Sequence, residues 1–297
     1  MEYLFRSMLF LPAHNSKFLG KASTCGADAV IFDLEDAVPA GRKEEARKNL
    51  EKLLETGVMD SIQSFVRVNE LGSETLEKEL DLVRFNAVRG FVIPKTNTRE
   101  DMEAFDRLVS EAEIRNSVPV GRTKLLPLIE TAEIMMNIQE AIKGSARIIA
   151  LLFGGEDYLD SIWGKHLEPT YTFNVARAIV VMAARTNNIL PIDTPYLDLQ
   201  NREGFLEEGR QSSAAGFAGA LLITPRQIPW ANECYSPSEE EIAHARNVLN
   251  AVKECRERGD SIAKLDGKMI GPPMRKRAEK VIEIADAIKQ IAEQYQK

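Results

Sequence analysis

The stretch Ile148-Ile149-Ala150-Leu151-Leu152-Phe153-Gly154-Gly155-Glu156-Asp157 decides the fold. It is an unbroken apolar run that stops at two glycines and two acids. A strand covered on both faces reads this way, because neither side of it meets water. The glycines permit a tight turn and close backbone approach. The acids then lie just past the strand's C-terminal end. A second run has the same design: Leu125-Leu126-Pro127-Leu128-Ile129 closes on Glu130 and Thr131.

Working outward, the same unit recurs. Leu4 to Leu11 is an apolar segment interrupted by Arg6 and Ser7 and ended by Pro12. Strands follow at 28–34, 64–69 and 88–95, then at 125–130 and 148–155, and finally at 189–193 and 218–224. Helical patterns separate them at 16–25, 42–57, 74–86 and 100–113, from 131 to about 143, and at 172–187 and 203–215. Alternation of this kind predicts right-handed βαβ units and a parallel sheet. Eight units predict an α/β fold of the closed (β/α)8 TIM-barrel type. No glycine-rich dinucleotide or phosphate-loop fingerprint follows the first strand, which argues against an open doubly wound sheet. We assign residues 1–230 to the barrel. Residues 231–297, with helical patterns at 238–258 and 274–294, form a C-terminal helical extension or lid.

The totals agree with a soluble globular protein. The chain has 297 residues, 44% hydrophobic and 28% charged, with net charge −7 and pI near 5.3. No Lys/Arg block stands out, so nucleic acid is not an expected partner. No apolar run reaches the roughly 20 residues that span a bilayer, and no signal-like segment opens the chain. Cys25, Cys234 and Cys255 are few, odd in number and without metal-ligand spacing. A reduced cytoplasm suits them.

Charged residues gather at the C-terminal ends of the predicted strands, the face where barrel active sites sit. Asp33 and Glu35, with Asp36 beside them, end the second strand. Arg67 ends the third, Lys95 the fourth, Glu130 the fifth, Asp157 the sixth and Asp193 the seventh. Each has a plain structural reading. Asp157 can cap the next helix, Glu130 can favour a helix dipole, and Arg67 can pair with Asp33 or Glu35. Lys95 can be exposed, and Asp193 can be a turn residue. His14, His166 and His244 lack ligand spacing and read as surface or packing residues. The gathering of so many charges at one mouth carries the functional reading.

Two carboxylates without His or Cys suit a hard cation, Mg2+ or in its place Mn2+. An arginine beside it can hold a carboxylate or enolate oxygen. Together they stabilise negative charge on a 2-oxo acid, which fits carbon–carbon cleavage or formation next to a carbonyl. A Schiff base on Lys95 is the rival route.

These residues resemble the citrate lyase β-subunit and malyl-CoA lyase group of the HpcH/HpaI aldolase superfamily. The matching segments include Arg6-Ser7-x-Leu9-x-x-Pro12, Asp33-Leu34-Glu35-Asp36-Ala37-Val38 and Val66-Arg67-Val68-Asn69. They continue with Ile93-Pro94-Lys95, Leu128-Ile129-Glu130-Thr131-Ala132 and Phe153-Gly154-Gly155-Glu156-Asp157. The resemblance implies a Mg2+ held by Glu130 and Asp157, and an oxo acid bound by Arg67. It also implies that Arg6 and Lys95 lie near that site or the thioester. The implied partners are a small oxo acid and an acyl-CoA or acyl-carrier thioester, in a homotrimer or hexamer whose C-terminal segment closes over a neighbour's site.

The second half departs from that pattern. Gly216-Phe217-Ala218-Gly219 and Ile223-Thr224-Pro225 replace segments that carry Asp, Lys and His in the family, and Gly271 stands where a lid Asp is common. Either another base at the mouth then moves the proton, with Glu35 or Asp36 as candidates and Asp266 the nearest acid in the lid segment, or proton transfer at that carbon is lost. The expected activity is cleavage of a citryl-, malyl- or citramalyl-type thioester. The alternatives are a metal-dependent 2-oxo-acid aldolase without a thioester and a catalytically weak binding subunit.

Overall fold

Eight parallel strands pair in chain order and close on themselves. They are β1 (Ser7–Pro12), β2 (Ala29–Asp33), β3 (Gln63–Arg67), β4 (Val88–Ile93), β5 (Lys124–Ile129), β6 (Ala150–Phe153), β7 (Leu190–Asp193) and β8 (Gly219–Leu222). The computed structural model describes residues 3–166, 171–258 and 262–294. Helices α1 (Ser16–Leu19), α2 (Lys43–Glu55), α3 (Leu76–Leu80), α4 (Arg99–Arg115) and α5 (Ala132–Ala141) follow the first five strands. Then come α6 (Gly155–Ser161), α7 (Asn174–Thr186), α8 (Arg202–Ala215) and α9 (Ile228–Cys234). The fold is a (β/α)8 barrel.

Alternation along the strands sorts their side chains into two shells. Leu9, Leu11, Val30, Phe32, Val66, Leu151 and Phe153 share one apolar cluster with Leu50 and Leu54 of α2 and with Met102 and Phe105 of α4. This is the layer between sheet and helices. The residues between them, such as Met8, Ile31, Phe65, Leu152 and Leu221, are equally buried and fill the barrel.

The strands carry two short helices that periodicity misses, α6 and α9, because seven residues give two turns and no sustained pattern. The run 148–155 yields only the strand Ala150–Phe153, since the chain turns at Gly154 and enters α6 at Gly155.

Arg6 corrects an expectation. It precedes β1 and pairs with Asp28, which precedes β2. Nε donates to Oδ2 at 2.8 Å and Nη2 to Oδ1 at 2.7 Å, while the Arg6 backbone N–H reaches Oδ2 at 2.8 Å. The pair is buried at the N-terminal end of the barrel. A six-residue strand at about 3.3 Å per residue puts it roughly 20 Å from the opposite mouth, so Arg6 joins strands and does not approach a substrate there.

The chain divides into two compact units, the barrel Phe5–Tyr235 and a smaller unit built from residue 236 onward with Tyr3 and Leu4. The smaller unit holds α10 (Glu239–Glu257) and α11 (Pro272–Gln294), with a hairpin of β9 (Lys264–Leu265) and β10 (Lys268–Met269) between them. Ala245, Val248, Cys255, Ile270 and Ala278 form its core. Asp266 and Gly267 make the hairpin's two-residue turn with φ of 49° and 75°, the positive pair that such turns require. Gly271 directly precedes α11. No helix among the described residues is long and apolar enough to cross a membrane.

Asp28→Asn removes the buried carboxylate that balances the Arg6 charge. We expect about 3 kcal/mol of lost stability in a denaturation experiment, with divalent-metal affinity unchanged at temperatures where the variant is folded. Weakened metal binding by the folded variant would return Arg6 to the functional end.

Candidate active site

Asp33 and Arg67 are register partners on β2 and β3, so their side chains leave the sheet side by side. They form a two-pronged ion pair, Arg67 Nε to Asp33 Oδ1 at 2.8 Å and Nη2 to Oδ2 at 2.5 Å. Arg67 Nη1 stands 3.0 Å from Glu35 Oε2 and 4.0 Å from Asp36 Oδ2. The guanidinium also lies 5.0 Å from the centre of the Phe10 ring. Burial opposes its charge, but Asp33, Glu35 and Asp36 outweigh burial and raise its pKa. Asp33 meanwhile accepts the backbone N–H groups of Glu35 at 2.8 Å and Ala37 at 3.3 Å, which folds the loop after β2 around the pair.

Glu130 follows β5 as Gly154 follows β6. Ile129 pairs with Phe153, so the next two residues stand abreast. A Cβ on Gly154 would lie 2.7 Å from Glu130 Cβ and 3.0 Å from its Oε2. The Gly154 φ of −91° suits any residue, so space and not backbone freedom demands glycine. On its other side Glu130 Oε1 accepts the backbone N–H of Lys95 at 2.7 Å. Lys95 has φ of 51°, a left-handed conformation that costs about 1 kcal/mol and aims that N–H.

Burial pushes the Glu130 carboxyl up to about 7. The Lys95 N–H and the charge of Arg67 oppose this, while the charges of Asp157 and Glu35 add to it. Asp157 sits on the first turn of α6. Burial and then the Asp36 charge raise its pKa, against Arg67 and Lys95. Glu130, Asp157, Asp33 and Arg67 all line one cavity of about 320 Å³, with Phe10, Leu128, Leu221 and Ile223 as its apolar wall.

A divalent cation suits this pair. Two carboxylates raise each other's proton affinity, and a cation between them would relieve the repulsion. Glu130 and Asp157 offer carboxylate oxygens only, and water and substrate oxygens would complete the shell. That is the manner of Mg2+ and not of zinc.

The remaining charged residues divide. Glu35 is buried behind Arg67 and reaches Lys95 Nζ at 3.2 Å, and Lys95 Nζ lies 3.6 Å from Glu70. Asp36 is exposed. Asp193 does not face the cavity. It pairs with Arg177 of α7, Oδ1 to Nε at 3.0 Å, and so lies in the outer shell. Asp193 therefore leaves the set of charges gathered at the mouth, because an ion pair with a helix satisfies a strand-end charge as well.

Sequence reading missed Phe10, Thr194 and the role of Gly154. Parity could have found Thr194. Ile192 and Thr194 are in phase, and Ile192 is a buried residue outside the outer cluster. Phe10 stands in phase with Met8 in the same way.

A barrel with two acids and one arginine at the C-terminal ends of its strands has the architecture of aldolase-type enzymes. The profile of the HpcH/HpaI aldolase/citrate lyase family matches residues 6–225, and the chain belongs to that family as a carbon–carbon lyase. The chain is 32% identical over 286 residues to the citrate lyase subunit beta of Leuconostoc mesenteroides subsp. cremoris, covering 96% of this chain and 95% of that one. It is 30% identical over 295 residues to the human mitochondrial citramalyl-CoA lyase, covering 96% and 86%. The crystal structure of CitE from Mycobacterium tuberculosis in complex with magnesium, acetoacetate and coenzyme A superposes with a TM-score of 0.76 at 25% identity, covering 96% of this chain and all of that one.

The raised pKa of Glu130 has a sign. Between the unfolded carboxyl near 4.5 and the folded one near 7, the fold binds the extra proton, so stability falls as pH rises through this window. In metal-free protein Glu130→Gln should therefore gain on the order of 3 kcal/mol at pH 8 and almost nothing at pH 4. Melting curves in EDTA at the two pH values read this directly, and equal gains at both would refute it.

Proposed function

We propose that this chain cleaves a citryl-, malyl- or citramalyl-type thioester, on CoA or an acyl carrier, into an oxo acid and an acyl thioester. It would do so with Mg2+, or Mn2+ in its stead, in the cytoplasm and as a homotrimer or hexamer. The observation that carries this reading is the single cavity in which Glu130 and Asp157 meet Arg67. Relatives matched over nearly their whole length support the thioester, since one is named a citramalyl-CoA lyase. The magnesium and coenzyme A bound in the CitE complex support the cation and the carrier.

Held by Glu130 and Asp157, the cation would supply a Lewis acid to the oxo-acid carbonyl. Arg67 commits two of its five N–H donors to Asp33, with Nη1 in ion-pair range of Glu35, which leaves donors for an anionic oxygen of the substrate. Because the carboxylates already hold the guanidinium, it need not reorganise when charge develops. Phe10, Leu128, Leu221 and Ile223 give the cavity an apolar wall, beside which charges interact more strongly than in bulk water. As the carbon–carbon bond breaks, the substrate hydroxyl gives up its proton and becomes the oxo-acid carbonyl, and the acyl fragment leaves as a thioester enolate whose carbon must receive a proton. Glu35 is engaged by Arg67 and Lys95, so we assign that transfer to Asp36, the exposed acid beyond β2.

Lys95 speaks against the Schiff-base route. Burial opposes its charge, but the hydrogen bond to Glu35 and the charges of Glu35 and Glu70 raise its pKa. An amine held as ammonium is a poor nucleophile.

The test is a substrate screen of the purified chain with citramalyl-CoA, malyl-CoA and pyruvate–aldehyde pairs. We expect cleavage of a thioester that EDTA or Asp157→Asn abolishes. Asp36→Asn should slow exchange of the acyl-thioester methyl protons in D2O by about 10²–10⁴-fold. Activity that survives EDTA, or a borohydride-trapped Lys95 adduct, would overturn the metal route. Metal binding without activity on any of these would favour a scaffolding subunit.

Arg67→Lys keeps the charge and loses the planar fork. We expect a loss of roughly 2–4 kcal/mol in transition-state stabilisation, measured as kcat/KM. A wild-type value would remove Arg67 from the site.

A further inference from the structure

Helix α6 carries Asp157, yet it has no cap of its own. It is seven residues long, its N-cap is Gly154, and Gly154 makes no side-chain bond to it. The first N–H groups of any helix lack partners within it and must find them elsewhere. For Gly155, the first residue of α6, the partner comes from another strand. Thr194, just past β7, accepts the Gly155 N–H on Oγ1 at 3.0 Å.

Thr194 is itself held. Its own N–H donates to Asp193 Oδ1 at 2.9 Å. That same oxygen accepts Arg177 Nε at 3.0 Å, and Arg177 Nη2 reaches Glu208 of α8. Asp193 and Arg177 are both buried, at 2% and 6% exposure, so this ion pair is shielded from competing water. Phe173 closes the other side, packed edge-on against Phe153 with ring centres 5.4 Å apart. The fit around Gly155 is tight. A Cβ there would lie 2.6 Å from Thr194 Oγ1 and 3.0 Å from Phe173.

A continuous line thus runs from α8 and α7 through β7 to the first turn of α6, two residues before Asp157. We propose that Thr194, fixed by Asp193 and Arg177, is the positioning residue that sets Asp157 for its cation. The proposal rests on the reading of Asp157 as a metal ligand. Without the hydroxyl, the buried Gly155 N–H has no acceptor, and the turn that carries Asp157 is free to shift toward one.

The experiment measures Mn2+ binding to the metal-free protein by electron paramagnetic resonance, with no substrate present. Thr194→Val keeps the shape and removes the acceptor, and its Kd for Mn2+ should rise roughly ten- to hundredfold. Thr194→Ser keeps the acceptor and should restore Kd to within a few-fold of wild type, which a packing role for the methyl group would not do. Val and Ser variants that bind Mn2+ alike would overturn the proposal. If Thr194→Val does not fold, hydrogen exchange of the Gly155 amide in wild-type protein decides: strong protection supports the bond, and free exchange overturns it. Asp157→Asn serves as the control. Should it bind Mn2+ as wild type does, the ligand reading falls and this proposal with it. If Asp157→Asn abolishes binding while Thr194→Val leaves it intact, only the positioning role falls.

Discussion

One buried carboxylate sets the terms for this end of the barrel. Glu130 is buried in the cavity wall with the charges of Asp157 and Glu35 close enough to push its carboxyl up, an arrangement that repels itself. The surroundings are arranged to tolerate it. Lys95 takes a left-handed backbone conformation to give the carboxylate an N–H, and Gly154 gives up its side chain to make room. Both residues accept a local disadvantage that only the carboxylate explains. Strain and cramped glycines gathered around one acid are the marks of a site kept for something other than stability.

Arg67 is the counterweight. Its register against Asp33 places a permanent cation where three acids converge, and Glu35 links it onward to Lys95 and Glu70. The result is an alternating network of charges on strands β2 to β4, facing the pair on β5 and α6. In this network few charges stand alone, and the groups that meet solvent or cavity are the ones with donors or acceptors to spare. The outer shell repeats the logic with different residues. Asp193, Arg177 and Glu208 compensate each other between sheet and helices and do not line the cavity.

Much of this was legible in the sequence, and the losses have physical reasons. The unbroken run 148–153 announces a doubly covered strand because burial on both faces leaves no polar residue. Its acids fall where the strand must end. Parity along β2 and β3 puts Asp33 and Arg67 on the lumen side. Asp193 misled because a charge at a strand end has two ways to be satisfied, and sequence does not reveal that α7 offers an arginine. Arg6 misled because its place in a family segment says nothing about which end of β1 it occupies, whereas the strand's direction does. Helices α6 and α9 are too short to display a period. The β9–β10 hairpin was hidden in Asp266-Gly267, a turn signal read as part of a lid.

The closed sheet has a consequence for how the chain comes to be folded. Strand β1 must pair with β8 as well as with β2, and Ser7 to Leu9 lie against Ala220 to Leu222, more than two hundred residues away. A ribosome adding about 5–20 residues per second needs roughly ten to forty seconds to bridge that interval. Throughout it, the nascent sheet grows with one edge of β1 unpaired and apolar, an invitation to foreign strands. The last barrel strand to emerge is therefore the one that completes the hydrogen bonding of the first.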